Sequence, residues 1–367
     1  MTRLRKGKSV RSATLSDVGR AVGVSITAAA AVLNHAGPPW PVSLKTRERI
    51  IAAAAELQYR PNAKARALSK GRMNTLGVVV EGEFNDYLFE VLNGIVTAAT
   101  RHGQNTTVFT MHDWRTGSGR LHDFCDGRID GLILLAPTFD YSQAALPEHI
   151  PFVSIHANRG MPGIVNIETH EERGAYALVR HLIAAGHRRI MHLTGPVGSD
   201  GAERRICGYQ RALIDAGISF DPQLLLTAGY TTEQGHEAMS CWLQRHIGEP
   251  LPHAVFCAND ACAIGCLESF AEIGLRVPED VSVAGFDDTF VARMSVPQLT
   301  AVRQPLAEMG ARAVELLLAR VDRRGAACPA VRRPIVFPVN LVLRASVGVP
   351  PTAERIVPAR RQPAARV

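Results

Sequence analysis

Along the first sixty residues the apolar positions recur at intervals of three and four, the spacing that lines side chains along one helix face. Leu15, Val18 and Val22 form one such set, Ile26 to Leu33 holds a second, and Ile50, Ala54 and Leu57 form a third. Thr14, Ser25 and Ser43 stand just ahead of these sets, where a hydroxyl can accept a hydrogen bond from a free first-turn amide. Gly23 separates the first two helices. Tyr59-Arg60-Pro61 ends the third, because the residue before a proline avoids helical torsions. Three short helices with a tight glycine turn between the first two predict an all-α helix-turn-helix unit over residues 14–61. Residues 1–13 read as a flexible basic arm, and the Gly- and Pro-punctuated run 34–41 as a loop. Residues 62–71 form a short helical stretch, polar except for its alanines and Leu68, so 62–74 reads as a hinge helix and linker.

From Leu76 the period changes. Buried-strand runs recur at 76–80, 106–110, 129–136, 152–155, 189–194, 224–227, 254–257 and 281–285, with helices between them such as 87–102 and 172–185. Strands alternating with helices imply an α/β core of parallel sheets covered on both faces. Two rounds of four units predict two similar lobes within 75–343, dividing near 165–168. Ligand-binding residues are then expected just beyond the carboxyl ends of the strands. Residues 344–367, rich in Pro, Ala and Arg, are expected to be a disordered basic tail.

Charge sharpens this division. The net charge of +7 is distributed unevenly. Residues 1–74 carry 14 Lys and Arg against three acids, the tail carries five Arg against one Glu, and the segment between them is acidic. A basic head on an acidic body predicts a polyanion partner for the head alone. No run approaches the roughly 20 apolar residues of a membrane span. Met1 to Thr14 has no apolar core of a secretory signal. The seven cysteines, scattered through 367 residues, form no disulfide framework. A cytoplasmic setting is expected.

Catalytic signals are weak. Gly195, Gly198 and Gly201 do not have the spacing of a dinucleotide fingerprint. Cys262 and Cys266 stand one helical turn apart with Cys257 nearby, a pattern of buried cysteines rather than a metal site. The 13 histidines show no H-E-x-x-H pattern, and no serine lies in a G-x-S-x-G elbow. The expectation is a protein that is not an enzyme and uses no cofactor or metal.

The ordered segments TLSDVGRAVGVS (14–25), AVLN (31–34), VSLKTRERIIAAAAELQYRPNAKARAL (42–68), AGHRRI (185–190), FCANDACAIGCLES (256–269) and LRVPEDVSVAGFDD (275–288) resemble the lactose-repressor/galactose-repressor family of bacterial transcription factors. The resemblance covers residues 14–348. It implies a core like that of the periplasmic sugar-binding proteins, a homodimer, a pseudo-palindromic double-stranded DNA site, and a small-molecule effector that is a sugar, a nucleoside or a related metabolite. Ser25, Ile26 and Thr27 then face base edges, with Asn34 after the helix. Lys45, Thr46 and Arg47 match family phosphate contacts, and Thr14, Ser43 and Tyr59 complete the DNA-facing set. Asn62, Ala65 and Leu68 match a hinge helix whose leucine wedges open a base step in the minor groove. One departure stands out: the family arginine of the reading helix is Ala31, within the run Ala28–Ala31.

For the effector, the resemblance implies His156, Arg205, Tyr230, Asn259 and Asp287. His156 stands where sugar-binding members carry a carboxylate, a departure from a simple sugar ligand. Structural roles compete for the others. Asn259 and Asp260 can cap the following helix, Asp287 and Asp288 can tie down a turn, and Tyr230 can be core. Arg205 can pair with Glu203 or a surface acid. A rival function, a solute-binding transport receptor with the same core, conflicts with the basic head and the missing secretory signal.

Overall fold

Thr14 opens the first helix through a reciprocal cap: its side chain accepts from the Asp17 amide, and its own amide donates to the Asp17 carboxylate at 2.9 Å. In this computed structural model the described residues are 13–33, 42–60, 72–82, 84–111, 119–135, 150–156, 165–322 and 334–358. They belong to two compact units, residues 1–73 and 74–367.

The first unit holds α1 (Leu15–Val22), α2 (Ile26–Leu33) and α3 (Leu44–Glu56). Gly23, at φ 76°, makes the left-handed turn that ends α1. Ser25 Oγ accepts from the Ala28 amide at 3.1 Å, and Ser43 Oγ from the Thr46 amide at 3.3 Å. Both expected caps are therefore in place. Val18, Ala29 and Ile50, one from each helix, are fully buried against one another, with Val22, Val32 and Ala54 around them. Leu57 departs from the expected stripe: it is the C-cap of α3 and stays exposed, because the helix ends at Glu56.

The second unit begins with β1 (Thr75–Glu81), α4 (Asp86–Arg101), β2 (Asn105–Met111), α5 (Gly119–Cys125), β3 (Gly131–Leu135), β4 (Phe152–Ile155) and β5 (Val165–Thr169). It continues through α6 (Glu171–Ala184), β6 (Ile190–Thr194), α7 (Asp200–Asp215), β7 (Leu225–Thr227), α8 (Thr232–Arg245), β8 (Ala254–Cys257), α9 (Asp260–Glu272) and β9 (Ser282–Asp287). The last elements are α10 (Phe290–Met294), β10 (Thr300–Arg303), α11 (Leu306–Val321), β11 (Ile335–Phe337) and β12 (Asn340–Val342). Two six-stranded sheets result, in the orders β11-β5-β4-β3-β1-β2 and β12-β10-β9-β8-β6-β7. The pairings are parallel except β10 with β12. β1 is central to the first sheet, with Leu76–Val80 in register with both Thr106–Thr110 and Gly131–Leu135. Buried on both faces, β1 and β3 are continuous apolar runs, whereas the edge strand β2 is mostly exposed.

The expected eight strands are therefore twelve. The four that escaped, β5, β10, β11 and β12, sit where the chain changes lobes. β5 alternates buried and half-buried residues, and β11 and β12 have three residues each, too short for a periodic signal. Since β5 lies in the first sheet, the first crossing falls just after Thr169, slightly beyond the expected division. The chain returns to the first lobe after Arg303 and crosses again after Phe337.

The expected disorder of 344–367 is overturned for residues 344–358. Ser346 and Val357 are buried, and the Ser346 hydroxyl donates to the Val283 carbonyl at 2.6 Å. The Leu251 amide donates to the Arg355 carbonyl at 2.8 Å, and Pro250 bridges Ile356. The segment lies along the second lobe as an irregular strap, so its prolines cost no ladder bonds and its composition misled. Among the described residues, no single helix is long and apolar enough to cross a membrane.

Candidate functional site

A cavity of about 620 Å³ lies between the two lobes of the second unit, at the carboxyl ends of the strands. The expected residues His156, Arg205, Tyr230, Asn259 and Asp287 all line it. His156 follows β4. Arg205 is in the second turn of α7. Tyr230 lies between β7 and α8, Asn259 caps α9, and Asp287 ends β9.

Arg205 is the hub. Its Nη2 donates to Glu171 Oε1 at 2.8 Å and lies 3.9 Å from Asp287 Oδ1, while Nη1 donates to the Ala258 carbonyl. The guanidinium also stacks on the Phe286 ring, 4.0 Å from its centroid. Its expected structural partners, Glu203 or a surface acid, are replaced by Glu171, which is only 2% exposed. Burial alone would push the Glu171 carboxyl up. The adjoining Arg205 charge and hydrogen bond outweigh it and hold the carboxyl below its usual range. Burial likewise disfavours the Arg205 cation, but Glu171 overrides that and raises its pKa.

Asn259 does two things at once. Its Oδ1 accepts from the Cys262 amide at 2.9 Å, so the capping role holds, and its Nδ2 donates to the Tyr230 carbonyl at 3.0 Å. The Tyr230 hydroxyl lies 2.9 Å from Ser199 Oγ. Asp287 adopts a left-handed φ of 106° and accepts from Gln304 Nε2 at 2.6 Å. Burial pushes its carboxyl up to about 7, despite the nearby Arg205 and Gln304. His156, at φ 48°, shares a hydrogen bond between its Nδ1 and the Tyr87 hydroxyl at 2.9 Å. Its Nε2 has no hydrogen-bond partner, and burial lowers its pKa so that the ring is neutral.

Glu171, Tyr87 and Ser199 were missed from the sequence. Glu171 opens α6 directly after β5, so the rule that places ligands beyond strand ends would have found it had β5 been seen. The glycines dismissed as a nucleotide loop have a local purpose. A Cβ on Gly201 would lie 2.8 Å from Glu171 Oε1, and one on Gly195 would lie 2.6 Å from the Tyr230 ring. Both glycines leave room for the polar wall. Cys257, Cys262 and Cys266 are buried.

In the first unit, Ser25, Ile26 and Thr27 form an exposed row at the start of α2, with Ile26 53% exposed. Lys45 is exposed, and Thr46 and Arg47 are half-buried in the first turn of α3. Thr14 and Ser43 serve as caps, and Tyr59 packs against the three-helix core. Asn34, Asn62, Ala65, Leu68 and the arm 1–12 lie outside the described residues.

Residues 14–62 match the model for bacterial regulatory proteins of the lacI family, and residues 179–347 match that for a periplasmic binding protein-like domain. The chain is 30% identical over 345 residues to the HTH-type transcriptional repressor PurR of Haemophilus influenzae strain PittEE, spanning 91% of this chain and 98% of the relative. The chain belongs to the lacI family. A second relative, the HTH-type transcriptional regulator DegA of Bacillus subtilis strain 168, is 31% identical over 341 residues, covering 91% of this chain and 98% of its own. Among solved structures, the Lac repressor dimer bound to operator and an anti-inducer superposes with a TM-score of 0.79 at 28% identity, covering 92% of this chain and all of that one. A transcriptional regulator CelR–cellobiose complex superposes with a TM-score of 0.67 at 29% identity, covering 91% and 99%. As a lacI-family protein the chain is a DNA-binding transcriptional regulator. Its helix-turn-helix is followed by an effector-binding core of the periplasmic-binding-protein type.

Proposed function

We propose that the chain is a homodimeric repressor of a pseudo-palindromic operator, and that a small molecule held between its lobes sets its DNA affinity. The observation that carries this reading is the convergence of His156, Arg205, Tyr230, Asn259 and Asp287 on one cavity, in a chain whose head presents Ser25–Thr27. In the head, Ser25, Ile26, Thr27 and Asn34 meet base edges, Lys45, Thr46 and Arg47 hold phosphates, and Thr14, Ser43 and Tyr59 line the same surface. Asn62, Ala65 and Leu68 enter the minor groove. A second copy covers exposed apolar side chains such as Phe89 and Val96 of α4 and Phe290 and Met294 of α10. A molecule that draws the lobes together alters the spacing of the two heads, so effector and operator affinities are reciprocally coupled. The protein acts by binding rather than by chemistry, in the cytoplasm on the nucleoid.

Selection of bound fragments from random DNA by the full-length chain, repeated across a salt series, tests this reading. A two-fold symmetric consensus with a steep salt slope is expected. Enrichment of no sequence would overturn specific operator binding.

A further inference from the structure

The effector cavity contains a cation whose charge is already answered. Of the described residues that line it, four carry carboxyl groups (Glu81, Glu171, Glu233 and Asp287), and Arg205 alone carries a fixed positive charge. That guanidinium has its charge paired, and each of its terminal nitrogens already donates inside the protein. Recognition of a phosphate or carboxylate by arginine uses two parallel N–H bonds from its fork. Here one terminal nitrogen is on the Ala258 carbonyl and the other on Glu171, at 2.8 Å, which leaves the buried Nε–H as the one fork nitrogen with no hydrogen-bond partner. Gly201 leaves the space in which the Glu171 carboxylate sits, and the first turn of α6 favours its negative charge. The remaining polar side chains that line the cavity are neutral, among them Ser199, the Tyr230 hydroxyl, Asn259 and the His156 ring with its unpartnered Nε2.

We infer that Glu171 is a built-in counter-ion that occupies the anion position on Arg205, so the cleft takes an uncharged, hydroxylated or heterocyclic molecule and excludes its phosphorylated or carboxylated counterparts. The inference rests on the cleft being the effector site. An arriving anion would either displace Glu171 and strand its buried carboxylate or have to settle beside that carboxylate's charge, and both are unfavourable. A neutral ligand instead donates hydroxyl or N–H hydrogens to Glu171 and Asp287 and accepts from His156 or Ser199, leaving the ion pair intact.

Inorganic phosphate is the probe. Peptide-resolved hydrogen–deuterium exchange on the full-length chain, at constant ionic strength, separates the cleft from the basic head. In the wild type, the peptides carrying Glu171 and Arg205 should show no phosphate-dependent protection. Glu171→Gln should gain saturable protection there, with phosphate affinity raised by about tenfold or more. If that variant fails to fold, Glu171→Asp, which keeps the charge but draws it back from the guanidinium, should show a smaller gain. Protection of the wild-type cleft by phosphate, or a folded variant that gains none, would overturn the inference. DNA selection reads out the regulatory function separately, so an operator consensus with a phosphate-binding wild-type cleft would sink the inference alone.

Discussion

Arg293 of α10 donates to the Glu90 carboxylate of α4 at 2.9 Å, joining the second lobe to the first. Two neighbours of Glu90 on α4 have different surroundings. Tyr87, three residues before Glu90, lines the cavity, while Phe89 is 68% exposed on the outer face. A second pair, Arg204 with Glu168 at 2.6 Å, spans the lobes from α7 to β5. Partly exposed pairs contribute about 0–1 kcal/mol each, so these clasps set lobe geometry far more than they set stability. Arg293→Gln should lower unfolding free energy by less than about 1 kcal/mol. It should also speed amide exchange at the crossings after Thr169 and Arg303. Equal exchange rates in variant and wild type would show that the pair does not hold the lobes together.

Gln304 lies at the second crossing and links the cleft to the first. The Thr169 hydroxyl donates to Gln304 Oε1 at 2.5 Å, and Gln304 Nε2 donates to Asp287 Oδ1 at 2.6 Å. Gln304→Leu removes both bonds and should cost about 1–3 kcal/mol. The cost should depend on pH. Asp287 has a folded pKa of about 7 against an ordinary 3.8, so the stability it lends is present at low pH and lost as pH rises through 7. Removing the donor that favours its ionised form raises the folded value further. The penalty should therefore be smallest below pH 6 and grow above pH 7 in urea denaturation. A penalty independent of pH would mean that Asp287 is not the group sensing the substitution.

Much of this organisation was legible in the sequence because it rests on local signals. The caps Thr14, Ser25 and Ser43, the turn at Gly23 and the apolar runs of β1, β6, β8 and β9 each follow from a few neighbouring residues. The parts that escaped depend on distant ones. The strands β5, β10, β11 and β12 are short and exist because the chain crosses between lobes there. Glu171 is recognisable only once Arg205, 34 positions away, is seen to reach it. The strap 344–358 looked like tail because its anchors, such as Arg344 on the buried Asp288, are supplied by the second lobe. The five cleft residues came from family resemblance, and the geometry brings them together around a carboxylate that the resemblance did not name.

Acid sensitivity should centre on His192. It is fully buried on β6, stacked on Phe256 at 4.2 Å, with Nδ1 hydrogen-bonded to the Phe256 carbonyl at 2.9 Å. Burial pushes its pKa down to about 4, so the ring is neutral when folded and takes up a proton near 6.5 when unfolded. Its contribution is full above pH 6.5 and drains away as pH falls towards 4, at about 1.4 kcal/mol per unit. His192→Gln should flatten the stability curve between pH 6.5 and 4 relative to the wild type. Parallel curves for the two proteins would assign acid lability elsewhere.

The reading helix invites a gain-of-function test. Beyond the hydroxyls of Ser25 and Thr27, α2 offers only alanines from 28 to 31, and Ala31 is half-buried and stands outside the core cluster of the three helices. An arginine at this position would supply a bidentate donor to guanine O6 and N7, about 1–3 kcal/mol of discrimination against other bases. Ala31→Arg should therefore add one strongly preferred guanine per half-site to the consensus selected from random DNA. The fold of the head should be unchanged, since arginine is a good helix former. A variant that folds and binds but selects the wild-type consensus would show that this face of α2 does not enter the groove, and would pass the work of reading to Ser25–Thr27 and the segments around them.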